Sequence, residues 1–139
     1  MSESSQERRE WNCEIPDFDL VSPNRLYRMH FGQRARLKRS IETMIVGYGD
    51  EIRLVESPVE LKIIRKYGYR KREFDEDNLY GSCKILIDAL KVMKKNKDGG
   101  LGIIEDDSPK HLTLMVTQEK SDSKESSVVI KVIPSTKVD

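Results

Sequence analysis

Apolar and polar side chains alternate from residue 59, with Val59, Leu61 and Ile63 on one face and Glu60, Lys62 and Ile64 on the other. A period of two marks a strand with one buried side, so residues 59 to 67 are predicted to be one. Leu112, Leu114 and Val116 alternate in the same way, as do Val128, Ile130 and Val132, which predicts two more strands. The polar stretch from Lys120 to Ser126 between them is short enough to predict an antiparallel hairpin. Residues 12 to 20 have room for a further short strand, ending near Leu20-Val21 before the turn signal Ser22-Pro23-Asn24.

Helical spacing takes over from about Gln33 to Val46, where Leu37, Ile41, Met44 and Ile45 recur, with Gly47 and Gly49 marking the end. After a bend or bulge at Gly68, the chain is expected to stay extended from Arg70 to Asp75. A second helix is predicted from Asn78 or Ser82 to Lys95. Its apolar stripe is Ile85, Leu86, Ala89, Leu90 and Met93; Lys84, Asp88, Lys91 and Lys95 share the opposite side, and Asp98-Gly99-Gly100 ends it. The sum is an α+β fold: a small mixed sheet of about four strands flanked by two helices. It forms one domain over residues 11–139 behind a polar tail of residues 1–10.

Composition narrows the function classes. No apolar run approaches the roughly 18 residues of a spanning helix, and no signal-peptide pattern is present. Cys13 and Cys83 lack metal-ligand spacing and fit idle thiols in a reducing cytoplasm. With only His30 and His111, a histidine-rich metal site is not expected. The formal net charge of +1 hides an uneven distribution. Arg25, Arg28, Arg34, Arg36, Lys38 and Arg39 fall within residues 20 to 41 with no acidic residue among them, and Lys66, Arg70, Lys71 and Arg72 follow later. A basic patch on a near-neutral chain suits a polyanion that meets one face; a solvated basic helix is the plain alternative.

Carboxylates collect in two places, at Asp75-Glu76-Asp77 and at Glu105-Asp106-Asp107. In an extended segment Asp75 and Asp77 project to the same side, about 6.5–7 Å apart at the rise of a strand. Oxygen ligands at that spacing suit a hard cation, Mg²⁺ or Mn²⁺, and a third carboxylate from the later cluster would complete such a site. Acidic residues before a helix also serve simply as caps, and Asp77 or Asn78 could do only that. Lys84 and Asp88 could be an ordinary i,i+4 surface pair, and Asp106 to Pro109 only a turn. An EF-hand fails at Leu79 and Tyr80, where a polar ligand and a glycine belong.

These residues carry a resemblance. Asp75-x-Asp77-Asn78-Leu79, then Lys84-x-x-x-Asp88-Ala89-Leu90, a glycine-containing loop and Asp106-Asp107 resemble the signature of the RusA family of Holliday-junction resolvases. Ser22-Pro23-Asn24-Arg25-Leu26-Tyr27 is similar to that family's segment near the N-terminus. The resemblance covers roughly residues 15 to 118. It implies a Mg²⁺-dependent endonuclease, with Mn²⁺ as substitute, of a type common in phages and prophages and acting in the bacterial cytoplasm. Metal-binding roles are implied for Asp75, Asp77 and one aspartate of the second cluster, Asp107 rather than Asp106, and a catalytic role for Lys84. The family's spacing puts the lysine four residues after the second aspartate, where Gly81 stands here. Tyr80-Gly81-Ser82 therefore reads as an insertion of almost one helical turn.

The expected substrate is branched DNA, a four-way junction above all. Arg25, Arg28, Arg34, Arg36, Lys38, Arg39, Arg70, Lys71 and Arg72 would contact phosphates, which gives affinity and salt dependence but little sequence information. Tyr27, His30 and Phe31 interleave with them. Phe74 is either a core residue or a wedge at the junction centre. Two symmetric cuts call for two active sites, hence a homodimer, as the resemblance also implies. The alternatives are a nuclease acting on flaps or forks, and a branched-DNA-binding module of the same fold that does not cleave.

Overall fold

The computed structural model describes residues 9–92 and 100–135 of the 139-residue chain. Four strands form one mixed sheet: β1 (Trp11–Pro16), β2 (Val59–Tyr67), β3 (Leu112–Lys120) and β4 (Ser127–Pro134), in the order β1-β4-β2-β3. β4 runs antiparallel to both β1 and β2, whereas β3 runs parallel to β2. Among the described residues four helices accompany them: α1 (Pro23–Arg28), α2 (Phe31–Tyr48), α3 (Glu76–Gly81) and α4 (Lys84–Leu90). The predicted α+β class, mixed sheet and two principal helices hold, and α1 and α3 are short additions.

Alternation places the core on one sheet face. Cys13, Ile130, Ile63 and Val116 lie abreast across the four strands, with Trp11, Val132, Leu61 and Leu114 in the next row. Ile41 and Ile45 of α2 and Leu86, Ile87, Ala89 and Leu90 of α4 pack into the same cluster, which follows from their helical spacing. Glu60, Lys62, Thr113 and Met115 occupy the opposite sheet face, half-buried or exposed.

The predicted hairpin is corrected: β2 lies between β3 and β4. The connection 121–126 steps over the end of β2, a span of about 9.5 Å at two strand spacings, well within reach of six residues. Ser121 N–H donates to the Tyr67 carbonyl (2.8 Å), and Tyr69 N–H donates to the Ser123 carbonyl (3.0 Å). Gly68 N–H donates to Ser126 Oγ (2.8 Å). A Cβ on Gly68 would collide with the Lys124 carbonyl oxygen, so this crossing requires glycine.

Three boundaries also differ. β1 stops at Pro16, not near Leu20, because Asp17 turns the chain out of the sheet at φ 51°. Residues 70 to 75 are not extended as one run; Lys71 N–H donates to the Gly68 carbonyl (2.8 Å) in a turn, and Asp75 already caps α3. The single helix expected from Asn78 or Ser82 onward is two. The Ser82 hydroxyl donates to the Leu79 carbonyl (2.7 Å) at the break, and α4 ends at Leu90 with Lys91 extended. Met93, Lys95, Asp98 and Gly99 lie outside the described residues, as does most of the expected N-terminal tail. The carbonyls of Arg9 and Glu10 accept hydrogen bonds from the Arg53 guanidinium at 2.7 and 2.9 Å.

Candidate functional site

α1, the first half of α2 and α4 enclose a cleft of about 640 Å³. Its residues follow from helical periodicity. Phe31, Arg34, Ala35 and Lys38 form one stripe of α2, and Lys84, Asp88 and Lys91 recur at i, i+4 and i+7 from α4. Pro23, Leu26 and Tyr27 supply the third wall. Arg34, Lys38, Lys84 and Lys91 thus face the same space. Arg25, Arg28, Arg36 and Arg39 are exposed but do not line it, and Arg70, Lys71 and Arg72 are exposed in the turn after β2.

Gly81 stands where α3 meets α1. A Cβ there would stand 2.8 Å from Pro23 Cγ, closer than packed carbons tolerate, so α3 rests on α1 through a residue without a side chain. A lysine four residues after Asp77 has no room. Lys84, one turn later, lines the cleft instead.

The acidic clusters fall in different places. Asp75 is the N-cap of α3, its Oδ1 accepting the Asn78 N–H at 2.9 Å, and Asp77 lies in the first helical turn. The capping alternative is therefore realised, by Asp75. The expected same-side projection of Asp75 and Asp77 from an extended segment does not occur. This acidic run sits by the open edge of β3, where Tyr80 Oη accepts the Val116 N–H at 3.3 Å. The later cluster sits at the far end of α4. Buried Ile103 and Ile104 donate their N–H groups to the Leu90 carbonyl at 2.8 and 3.1 Å, which brings Asp107 to Lys91. Lys91 Nζ bridges Asp88 Oδ1 at 3.2 Å and Asp107 Oδ2 at 3.4 Å. Partial burial works against the Lys91 charge, but hydrogen bonds and attraction from Asp88 and Asp107 outweigh it and raise its pKa. Asp106 is half-buried beside them.

Among the described residues, no group of three or more carboxylate, histidine or cysteine side chains lies close enough to hold an ion. The predicted ligands Asp75, Asp77 and Asp107 do not form a ready Mg²⁺ set within one chain: Asp75 is engaged as a cap, and Asp107 is held by an ammonium group. Lys84 follows Asp77 by seven residues, across the break between α3 and α4.

Sequence reasoning missed Arg65. It is buried at the core-facing parity that follows Val59, Leu61 and Ile63, and that parity is the signal that could have found it: an arginine there requires partners. Arg65 Nε and Nη2 donate to Asp19 Oδ1 and Oδ2 at 2.7 and 2.9 Å, a bidentate pair. Nη1 donates to Gln118 Oε1 and to the Arg72 carbonyl, each at 3.0 Å. Gln118 is beside Arg65 in the β2–β3 register, and its amide clamps the backbone of Phe74 in both directions at 3.1 and 2.6 Å. The Phe74 ring lies 3.8 Å beneath the guanidinium carbon and packs against the core, so the core reading of Phe74 is the one that holds. This network fixes the segment 72–74 that delivers Asp75 to the start of α3.

No helix among the described residues is long and apolar enough to cross a membrane. No protein-family model matches the chain, and no curated protein matches it.

Proposed function

We propose that this chain acts on branched DNA as a structure-specific, divalent-metal-dependent endonuclease, with four-way junctions as the substrate and a homodimer as the working unit. The observation that carries this reading is the cleft in which Lys84, Arg34 and Lys38 face one another. Arg34 and Lys84, on two helices, form a phosphate-binding surface beside Lys38, which is paired with Glu42 at 4.0 Å, and charges in a concave, partly apolar site act more strongly than on open surface. Lys84 would neutralise the scissile phosphate and the charge that grows on it as the bond breaks. The exposed acidic run at Asp75 to Asp77 and the cluster at Asp106 and Asp107 carry oxygen donors of the kind Mg²⁺ chemistry would need, though not gathered into one set among the described residues.

A second reading has its own support. The three carboxylates do not converge, and Asp75 and Asp107 each have a structural partner. A branched-DNA-binding module without cleavage needs only the cationic cleft. One experiment separates the two: labelled four-way junction, flap and linear duplex are incubated with the protein in Mg²⁺ or in EDTA. Symmetric nicks in the junction, absent in EDTA and in Asp77→Asn, support the nuclease. Junction binding with no cleavage in any metal overturns it in favour of the binding module.

A further inference from the structure

The cleft holds more than cations. Tyr27 and Phe31 stand at its rim, 88% and 79% exposed, where an apolar ring has no packing role to fill. Leu26 and Ile85 line the same space, so the site combines flat aromatic and aliphatic surface with positive charge. Arg34 is on α2, one turn from Phe31, and Lys84 faces it from α4. Among the described residues, the one carboxylate lining the cleft, Asp88, is paired with Lys91, which leaves Arg34 and Lys84 facing the opening with a net positive field. A duplex presents phosphates outward and hides the faces of its bases, so it can use the cations but not the rings. An unpaired nucleotide uses both, because every base has a π-face and an adjoining phosphate.

We infer that this cleft takes an unpaired nucleotide of the DNA, its base stacked on Tyr27 or Phe31 and its flanking phosphates held by Arg34 and Lys84. The inference rests on the DNA-acting reading above and deepens it: the bound DNA offers an unpaired nucleotide, as an opened branch point of a junction, a flap or a gap does. The two rings are too exposed to support the fold, so their removal separates binding from folding.

The test measures equilibrium binding in EDTA, so that cleavage plays no part. Fluorescence anisotropy follows wild type, Tyr27→Ala, Phe31→Ala and Phe31→Trp on three labelled DNAs: a flap with a single-stranded arm, a fully paired four-way junction and a blunt duplex. Thermal melting confirms that each variant folds. Wild type should bind the flap more tightly than the blunt duplex. At least one alanine variant should lose about 5- to 150-fold on the flap, the span of base–aromatic stacking increments, and less than about threefold on the duplex, with Phe31→Trp retaining flap affinity. A 2-aminopurine in the single-stranded arm should be quenched by wild type and not by the double alanine variant. Equal losses on flap and duplex, or no preference for the flap, overturn the stacking site while leaving the endonuclease reading intact. Absence of binding to all three DNAs overturns both.

Discussion

Removing Asp19 should be among the most damaging single changes in this protein: its carboxylate accepts from the Arg65 guanidinium at 2.7 and 2.9 Å and from the N–H of buried Leu20 at 2.8 Å. The Arg65 side chain is only 2% exposed and that of Asp19 15%. Asp19→Ala strips the guanidinium of both bonds of its bidentate pair, leaving Gln118, the Arg72 carbonyl and the Phe74 ring. An orphaned buried charge of this kind costs about 3–5 kcal/mol. Because Asp19 is near enough to the surface for water to replace part of its role, we expect the lower end, about 3 kcal/mol. Against a domain stability of about 5–15 kcal/mol, that is a large fraction. Urea denaturation of wild type and Asp19→Ala at pH 7 reads the difference directly. Replacing both partners with apolar groups of similar size, Arg65→Met with Asp19→Leu, removes the charge with its counter-charge and should cost far less than the single change. A loss below about 1 kcal/mol for Asp19→Ala, or a double variant at least as unstable as the single, would refute the argument that this buried pair secures the 72–74 segment.

Three further outcomes are expected. Gly81→Ala should lower the thermal midpoint despite a helix-propensity gain of about 1 kcal/mol, because its Cβ meets Pro23 Cγ at 2.8 Å; for the same reason Gly81→Lys should not restore cleavage to Lys84→Ala. Lys84→Ala itself should reduce junction cleavage by about 10²–10³-fold, the scale of one lost transition-state charge contact, with much smaller loss of junction binding in EDTA; equal losses would make it a phosphate contact only. Burial pushes the Cys83 thiol up to about 12 and that of Cys13, with help from Asp50 and Glu14, up to about 11, from an ordinary 9.0. Neither thiol should react with a disulfide reagent at pH 8 until the protein unfolds. Since the unfolded thiols ionise first, stability should fall as pH climbs from 9.0 to about 11 for Cys13 and to about 12 for Cys83, by up to about 1.4 kcal/mol per pH unit for each group.

The strands were legible because alternation is a local property. Val59 to Tyr67 can be read to the residue, since each side chain reports its own face. Pairing was not legible. Lys120 to Ser126 looks like a hairpin loop, yet it bridges over β2, and only the demand to bury β2 on both edges sets that order. The α3–α4 break was hidden because Ser82 and Cys83 are compatible with a helix by propensity, while their buried surroundings hold them in a tighter turn.

The sequence by itself determined the α+β class, the core faces of the strands and the face of α4 that carries Lys84, Asp88 and Lys91. All of these depend on periodicities of two or near four, which act within a few residues. Only the tertiary structure decided what those residues meet. It put Asp75 to work as a helix cap, joined Asp107 to Lys91, and turned Arg65 from one more basic side chain into the anchor of the 72–74 segment. The reason is that the Lys91–Asp107 pair and the Arg65–Asp19 pair join segments distant along the chain, while the local cap at Asp75 depends on where packing starts α3. Their energies are settled by packing, which no local pattern records.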